Sequence, residues 1–171
     1  SIVVSGTPIR RPQGQFLQDN EVVFGPSQAL DFELELCLII GKSNPLGTPV
    51  SVPEAEDYIF GVTLFNDWSA RDIQRWEYQP LGPFLGKNFG SSMSAWVVPF
   101  ADLEPFRVSG PVQQPEPLPY LKTEKPGHFD LELYVVLQPA DGDEITLSYS
   151  NARYLYWSFA QMIAHHTVNG C

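Results

Sequence analysis

Sixteen prolines and thirteen glycines are scattered along all 171 residues, which limits the chain to short elements joined by turns. Hydrophobic residues make up 43% and aromatics 13%, enough to bury a core at this length. No apolar run approaches the ~18–20 residues of a membrane-spanning helix, which argues against a membrane partner. The formal net charge of −10 argues against nucleic acid, because phosphates are bound by clustered Lys and Arg. Cys37 and Cys171 stand far apart and form no CxxC pair, which suits reduced thiols in a cytoplasmic protein. No signal or transit segment is visible. The chain opens inside a strand-like run, SIVVSG, and stops at Asn169-Gly170-Cys171 directly after a helical pattern. Both ends therefore read as cuts in a longer protein.

The opening run is expected as a strand and residues 5–20 as loop. Residues 30–40, LDFELELCLII, alternate apolar and acidic before turning wholly apolar, a strand period. Ser51 and Pro53 suit the start of a short helix, Pro53–Tyr58. The apolar run IFGVTLF, at 59–65, has strand length. Asn66 and Asp67 are expected to open a helix from Trp68 to about Glu77. A Gly-rich loop, LGPFLGKNFG, then leads to a strand in SAWVVPF. Residues 104–128 are Pro-rich, but strands resume at FDLELYVVL, so they read as an excursion within one domain, 1–171. A hairpin through Asp141-Gly142-Asp143, a strand at Thr146–Tyr149 and a helix from about Tyr154 to His166 complete the pattern. Strands outnumber helices and do not alternate with them. The sequence predicts an α+β fold with a mainly β core and a few short helices.

Three clusters could carry chemistry. In a strand, Asp31, Glu33 and Glu35 share one face, and if that face is buried its carboxylates must protonate or hold a cation. A solvated strand face gives the same pattern, and FDLELYV at 129–135 is read that way for Asp130 and Glu132. On a helix beginning near Asp67, residues Asp67, Arg71, Gln74 and Tyr78 form one polar stripe. A solvated helix face, or Asp67 acting as an N-cap, would also explain it. In the third cluster, Lys87 sits among glycines and aromatics without its own carboxylate, as a turn lysine would also do. The spacing is not that of a phosphate-binding loop. His165 and His166 are adjacent on a helix, diverge by ~100°, and suit capping or buried positions better than chelation of one metal.

Taken in order, LDFELE, FNDWSARDIQRWEYQPLGPFLGKNFG and HHTVNGC resemble the fumarylacetoacetate hydrolase family, as do SGTPIRRPQGQ and PLPYL. The resemblance runs through nearly the whole chain. It implies the family's mixed-sheet, β-roll-like catalytic domain, truncated here at both ends. It also implies a homodimer that hydrolyses a carbon–carbon bond in a β-diketo acid, fumarylacetoacetate, to fumarate and acetoacetate in tyrosine and phenylalanine breakdown. Glu33, Glu35 and Asp67 match the ligands of a divalent cation, Ca²⁺ or Mg²⁺, consistent with oxygen ligands. Arg71, Gln74 and Lys87 match donors around the reacting carbonyl. Gln74 and Tyr78 match substrate contacts. Lys87 and Ser91 match positions around a second cation, with Ser91 standing where Thr is expected. The family's His–Glu base pair and a further metal-binding Asp find no match, since the order places them before Ser1 or beyond Cys171. His128, His165 and His166 do not match the base, so this stretch alone is expected to be inactive. Two other readings stay open: a hydrolase of another acylpyruvate or diketo acid, and a catalytically dead metal-binding or assembly protein.

Overall fold

Proline and glycine spacing is matched by element length: the longest strand has nine residues and the longest α-helix eight in the computed structural model, which describes residues 1–171. In chain order the strands begin with β1 (Ile2–Val4), β2 (Gln13–Gln18), β3 (Glu21–Pro26), β4 (Leu30–Asp31) and β5 (Leu34–Ile40). Helix α1 (Val52–Ala55) precedes β6 (Ile59–Asp67) and β7 (Ser69–Ala70), and α2 (Arg71–Glu77) precedes β8 (Ser91–Met93) and β9 (Val98–Pro99). Then come β10 (Arg107–Val108), β11 (His128–Phe129), β12 (Glu132–Leu137), β13 (Ile145–Asn151) and α3 (Phe159–His166). No helix is long and apolar enough to cross a membrane.

The chain divides into two compact units, Ser1–Cys37 with Thr63–Val97, and Leu38–Val62 with Val98–Cys171. In the first, β8 pairs in parallel with β1 and antiparallel with the end of β6, which makes the sheet mixed. Strands β2 and β3 form an antiparallel hairpin. Helix α2 lies so close on β2 that a Cβ on Gly14 would come within 2.8 Å of Ile73 Cδ1. Phe16, Ala70 and Ile73 form the buried core there, with Val23 and Phe89 packed against them.

In the second unit, Gly61 and Val62 of β6 pair with β9, and β12 pairs with β13 across a register shift at Val135/Val136. Helix α1 packs on α3, and Phe129 stacks on Phe159 at 5.5 Å while meeting Phe100 edge-on at 5.6 Å. Buried Gln161 ties the Pro-rich excursion to α3: its amide nitrogen donates to Gln113 Oε1 and the Leu121 carbonyl.

Several expectations need correcting. Residues 5–20 are not all loop, because Gln13–Gln18 is a strand whose two-residue turn has Asp19 and Asn20 at φ 52° and 67°. Both positions lie in the left-handed region that hairpin turns favour. The helix expected from Trp68 starts at Arg71, since sheet pairing claims the residues before it: Asn66 and Asp67 pair with Ser92 and Ser91, Ser69 and Ala70 with Asp31 and Leu30. Asp67 is thus neither an N-cap nor a member of a helical stripe; the N-cap is Ala70, without a side-chain bond. The strand expected through SAWVVPF shrinks to Val98–Pro99, because Thr63 Oγ1 bonds the Ser94 and Trp96 carbonyls instead. Helix α3 begins at Phe159, set by a capping box between Ser158 and Gln161.

Candidate active site

The strand that alternation predicts from 30 to 40 is interrupted at Phe32-Glu33, and this break shapes the site. Glu33 N–H donates to Asn66 Oδ1 at 3.1 Å, and Glu33 C=O accepts from Asp67 N–H at 3.2 Å. Both backbone groups of Glu33 are thereby fastened beside the end of β6. The first residue of α2, Arg71, is anchored by its N–H on the Ala29 carbonyl at 2.8 Å.

Side chains converge from these anchors. Arg71 donates through Nε to Asp31 Oδ2 at 2.8 Å, and through Nη1 to Glu33 Oε1 at 2.7 Å and Gln74 Oε1 at 3.2 Å. Lys87 Nζ lies 2.7 Å from Glu33 Oε2 and 3.3 Å from Asp67 Oδ2, while Ser91 Oγ donates to Asp67 Oδ1 at 3.2 Å. Each oxygen of Glu33 therefore has its own cation. Burial would raise the Glu33 carboxyl, but the hydrogen bonds from Lys87 and Arg71 outweigh it and hold the group below its ordinary value. The Arg71 hydrogen bond does the same for Asp31.

Glu35 behaves oppositely. Desolvation first, then the charges of Asp67 and Glu33, push its carboxyl above the ordinary value, and Lys87 only partly opposes them. Four carboxylates (Asp31, Glu33, Glu35, Asp67) face two cations (Arg71, Lys87), so two negative charges are left over. The leftover charge and the all-oxygen donor set suit a hard divalent cation. The expected set of Glu33, Glu35 and Asp67 is not gathered as a metal-holding group, because Glu33 and Asp67 converge on the Lys87 ammonium instead.

Glu33, Glu35, Asp67, Arg71, Gln74, Lys87 and Ser91 are thus drawn together by contact or charge. Tyr78 is not: it follows the end of α2, is 46% exposed, and its phenol makes no hydrogen bond. Sequence reasoning placed Asp31 on the acidic face without seeing that it pairs with Arg71, and missed Asn66 as the clamp on Glu33. The Asp31-to-Glu35 alternation could have found the first; nothing local signals the second. Outside the cluster, Asp130 pairs with Arg153 and Asn151, and Glu132 accepts from the phenols of Tyr134 and Tyr149. Asp130 and Glu132 are both exposed, as expected, but each has partners the sequence did not reveal. His165 and His166 are exposed in the last turn of α3, and His165 Nδ1 lies 2.9 Å from the Tyr120 hydroxyl.

The fold is mainly β, a mixed-sheet α+β arrangement, and its first unit carries an acidic, oxygen-rich cluster with one lysine and one arginine. The family model "Fumarylacetoacetate (FAA) hydrolase C-terminal" matches residues 1–169, and the chain belongs to this family. It is 52% identical to fumarylacetoacetase of Bos taurus over 174 aligned residues, and 51% identical to that of Homo sapiens. Each match covers 100% of this chain but 42% of the relative, so the chain spans about two fifths of those proteins. Among solved structures it is similar in fold to Cg1458, with a TM-score of 0.57 at 18% identity over 86% of this chain and 53% of that one. Fumarylpyruvate hydrolase from Pseudomonas aeruginosa, in complex with Mn²⁺ and pyruvate, aligns with a TM-score of 0.53 at 17% identity, over 96% of this chain and 76% of that one.

Proposed function

We propose that this chain serves hydrolysis of the carbon–carbon bond of fumarylacetoacetate to fumarate and acetoacetate. The observation that carries the reading is Lys87, held between Glu33 and Asp67 beside Arg71 and a Glu35 carboxyl without a cation of its own. The identity to proteins named fumarylacetoacetase supports the choice of substrate.

In the reaction, the oxygen of water bonds to one carbonyl carbon and the adjacent C–C bond breaks. The electron pair leaves as an enolate, which takes up at carbon the proton released as the attacking water's O–H bond breaks. Lys87 and Arg71 are the donors placed to meet negative charge as it develops on substrate oxygen. Asp31 and Glu33 hold the guanidinium in position. Gln74 accepts from Arg71 Nη1 and is assigned with it to the substrate side, while Tyr78, exposed after the end of α2, is assigned a contact to a substrate carboxylate on the family resemblance alone. Glu33, Glu35 and Asp67 would hold a divalent cation such as Ca²⁺, Mg²⁺ or Mn²⁺, with Lys87 and Ser91 near a second. When bound, such a cation supplies Lewis-acid stabilisation of the diketone oxygens. A cytoplasmic homodimer is the assembly this reading implies, and sedimentation of the complete enzyme measures it.

The test is Lys87→Met in the complete enzyme. A donor to developing charge acts mainly in the transition state, so kcat should fall ~10²–10³-fold with little change in KM. A near-normal kcat would return Lys87 to an ordinary turn lysine. The wild type should prefer fumarylacetoacetate to fumarylpyruvate by kcat/KM, and the reverse order would replace the substrate.

A further inference from the structure

Lys87 sits in a loop whose glycines give it no stiffness of their own, yet its ammonium must be placed to within a fraction of an ångström. The last residue of α2 is Glu77, where a carboxylate opposes the helix dipole and a Lys or Arg would be favoured. Its Oε1 accepts two backbone N–H groups of the loop, from Phe84 and from Gly86, each at 2.7 Å. Gly86 is also held through its carbonyl, which accepts from Ala70 N–H at 2.8 Å. A Cβ on Gly86 would come within 2.8 Å of the Gln74 backbone, so the loop lies directly on α2. The N–H of the residue before Lys87 is therefore fixed to the end of the helix that carries Arg71, and its carbonyl to Ala70, the N-cap of that helix.

We propose that Glu77 is a positioning residue that holds the Lys87 loop on α2 through paired backbone hydrogen bonds and so sets the Lys87 ammonium between Glu33 and Asp67. The proposal rests on the reading of Lys87 as part of the site. Glu77 makes no ion pair with Lys87 and acts only through the main chain. It requires an acceptor oxygen at that point rather than a negative charge, which separates it from a general electrostatic effect. Gln in its place can still accept both N–H groups; Leu, of similar size, can accept neither.

The test is NMR of the chain with lysines labelled with ¹³C at Cε, where Lys87 stands beside only Lys42, Lys122 and Lys125. The Lys87 signal, set apart by its two carboxylates, should move toward exposed-lysine positions in Glu77→Leu while the other three stay in place. It should remain at the wild-type position in Glu77→Gln. An unmoved Lys87 signal in folded Glu77→Leu overturns the proposal. If Glu77→Leu does not fold, Glu77→Ala, which also lacks the acceptor, takes its place: a displaced Lys87 signal upholds the role and an unmoved one overturns it. Titration of the same samples with Mg²⁺ separates this inference from the functional reading. Absence of cation binding with the Glu77 response intact removes the latter and leaves the former.

Discussion

At the residue scale, the site is an unequal balance of charge. Glu33 has two cationic partners, whereas Glu35 has neither and sits near two other carboxylates. Folding raises the Glu35 pKa, so the folded state favours its protonated form and stability falls as pH rises from the ordinary value through the folded one. Glu35→Gln should therefore stabilise the metal-free chain at neutral pH, by no more than about 1 kcal/mol because solvent screens the charges. Millimolar Mg²⁺ or Ca²⁺ should stabilise the wild type thermally by linkage, and Glu35→Gln should abolish that gain. Thermal melts with and without cation check both. Asp72 has the opposite sign. Burial opposes its ionisation, but Ser27 Oγ at 2.6 Å, Gln28 N–H at 2.7 Å and Ile73 N–H at 2.9 Å all donate to it and lower its pKa. Its contribution is present above the ordinary Asp value and lost as pH falls through the folded one. Asp72→Ala should cost about 2–4 kcal/mol at neutral pH, and the cost should shrink in acid. Denaturant melts across that range measure it.

At the element scale, the two helix starts show what local sequence can and cannot announce. Ser158 with Gln161 three residues on is a capping box, legible in principle, and it overrode the longer helix expected from Tyr154. Ser158→Ala should cost ~1 kcal/mol in a denaturant melt. Helix α2 was misplaced by three residues for a reason no local rule contains: pairing of β6 with β8 and of β4 with β7 holds residues 66–70 extended. Asp67, Arg71 and Gln74 still fall in one cluster because only Trp68 and the two-residue β7 separate the end of β6 from α2, and Glu33 and Lys87 link Asp67 to Arg71. The hairpin β2–β3 escaped detection because its turn is Asp-Asn, a weaker signal than Asn-Gly or Asp-Gly. Asn20→Gly should stabilise the chain by up to ~1 kcal/mol, since Gly adopts the 67° φ freely, and Asn20→Val should destabilise it by ~1–2 kcal/mol. The acidic alternation was legible from the first. The break at Glu33 was not, since it depends on Asn66, 33 residues away.

At the scale of the whole molecule, the first unit carries the cluster: Asp31, Glu33, Glu35, Asp67, Arg71 and Lys87 all belong to Ser1–Cys37 or Thr63–Val97. Residues far apart in the chain meet there because strands β4, β6 and β8 and helix α2 are packed within one unit, which is why family-level pattern exposed the site better than any single motif. The second unit gathers its core around Phe129, Phe159 and Ile163 and contributes none of the clustered side chains. The account stands on the claim that Glu33, Glu35 and Asp67 together hold a divalent cation. Anomalous diffraction from crystals of the chain grown with Mn²⁺ measures this most directly. The account predicts a peak bonded to carboxylate oxygens of all three residues at ~2.0–2.6 Å, the range spanned by hard divalent cations. Ordered carboxylates with no peak between them, the Lys87 ammonium still seated on Glu33 and Asp67, would contradict it.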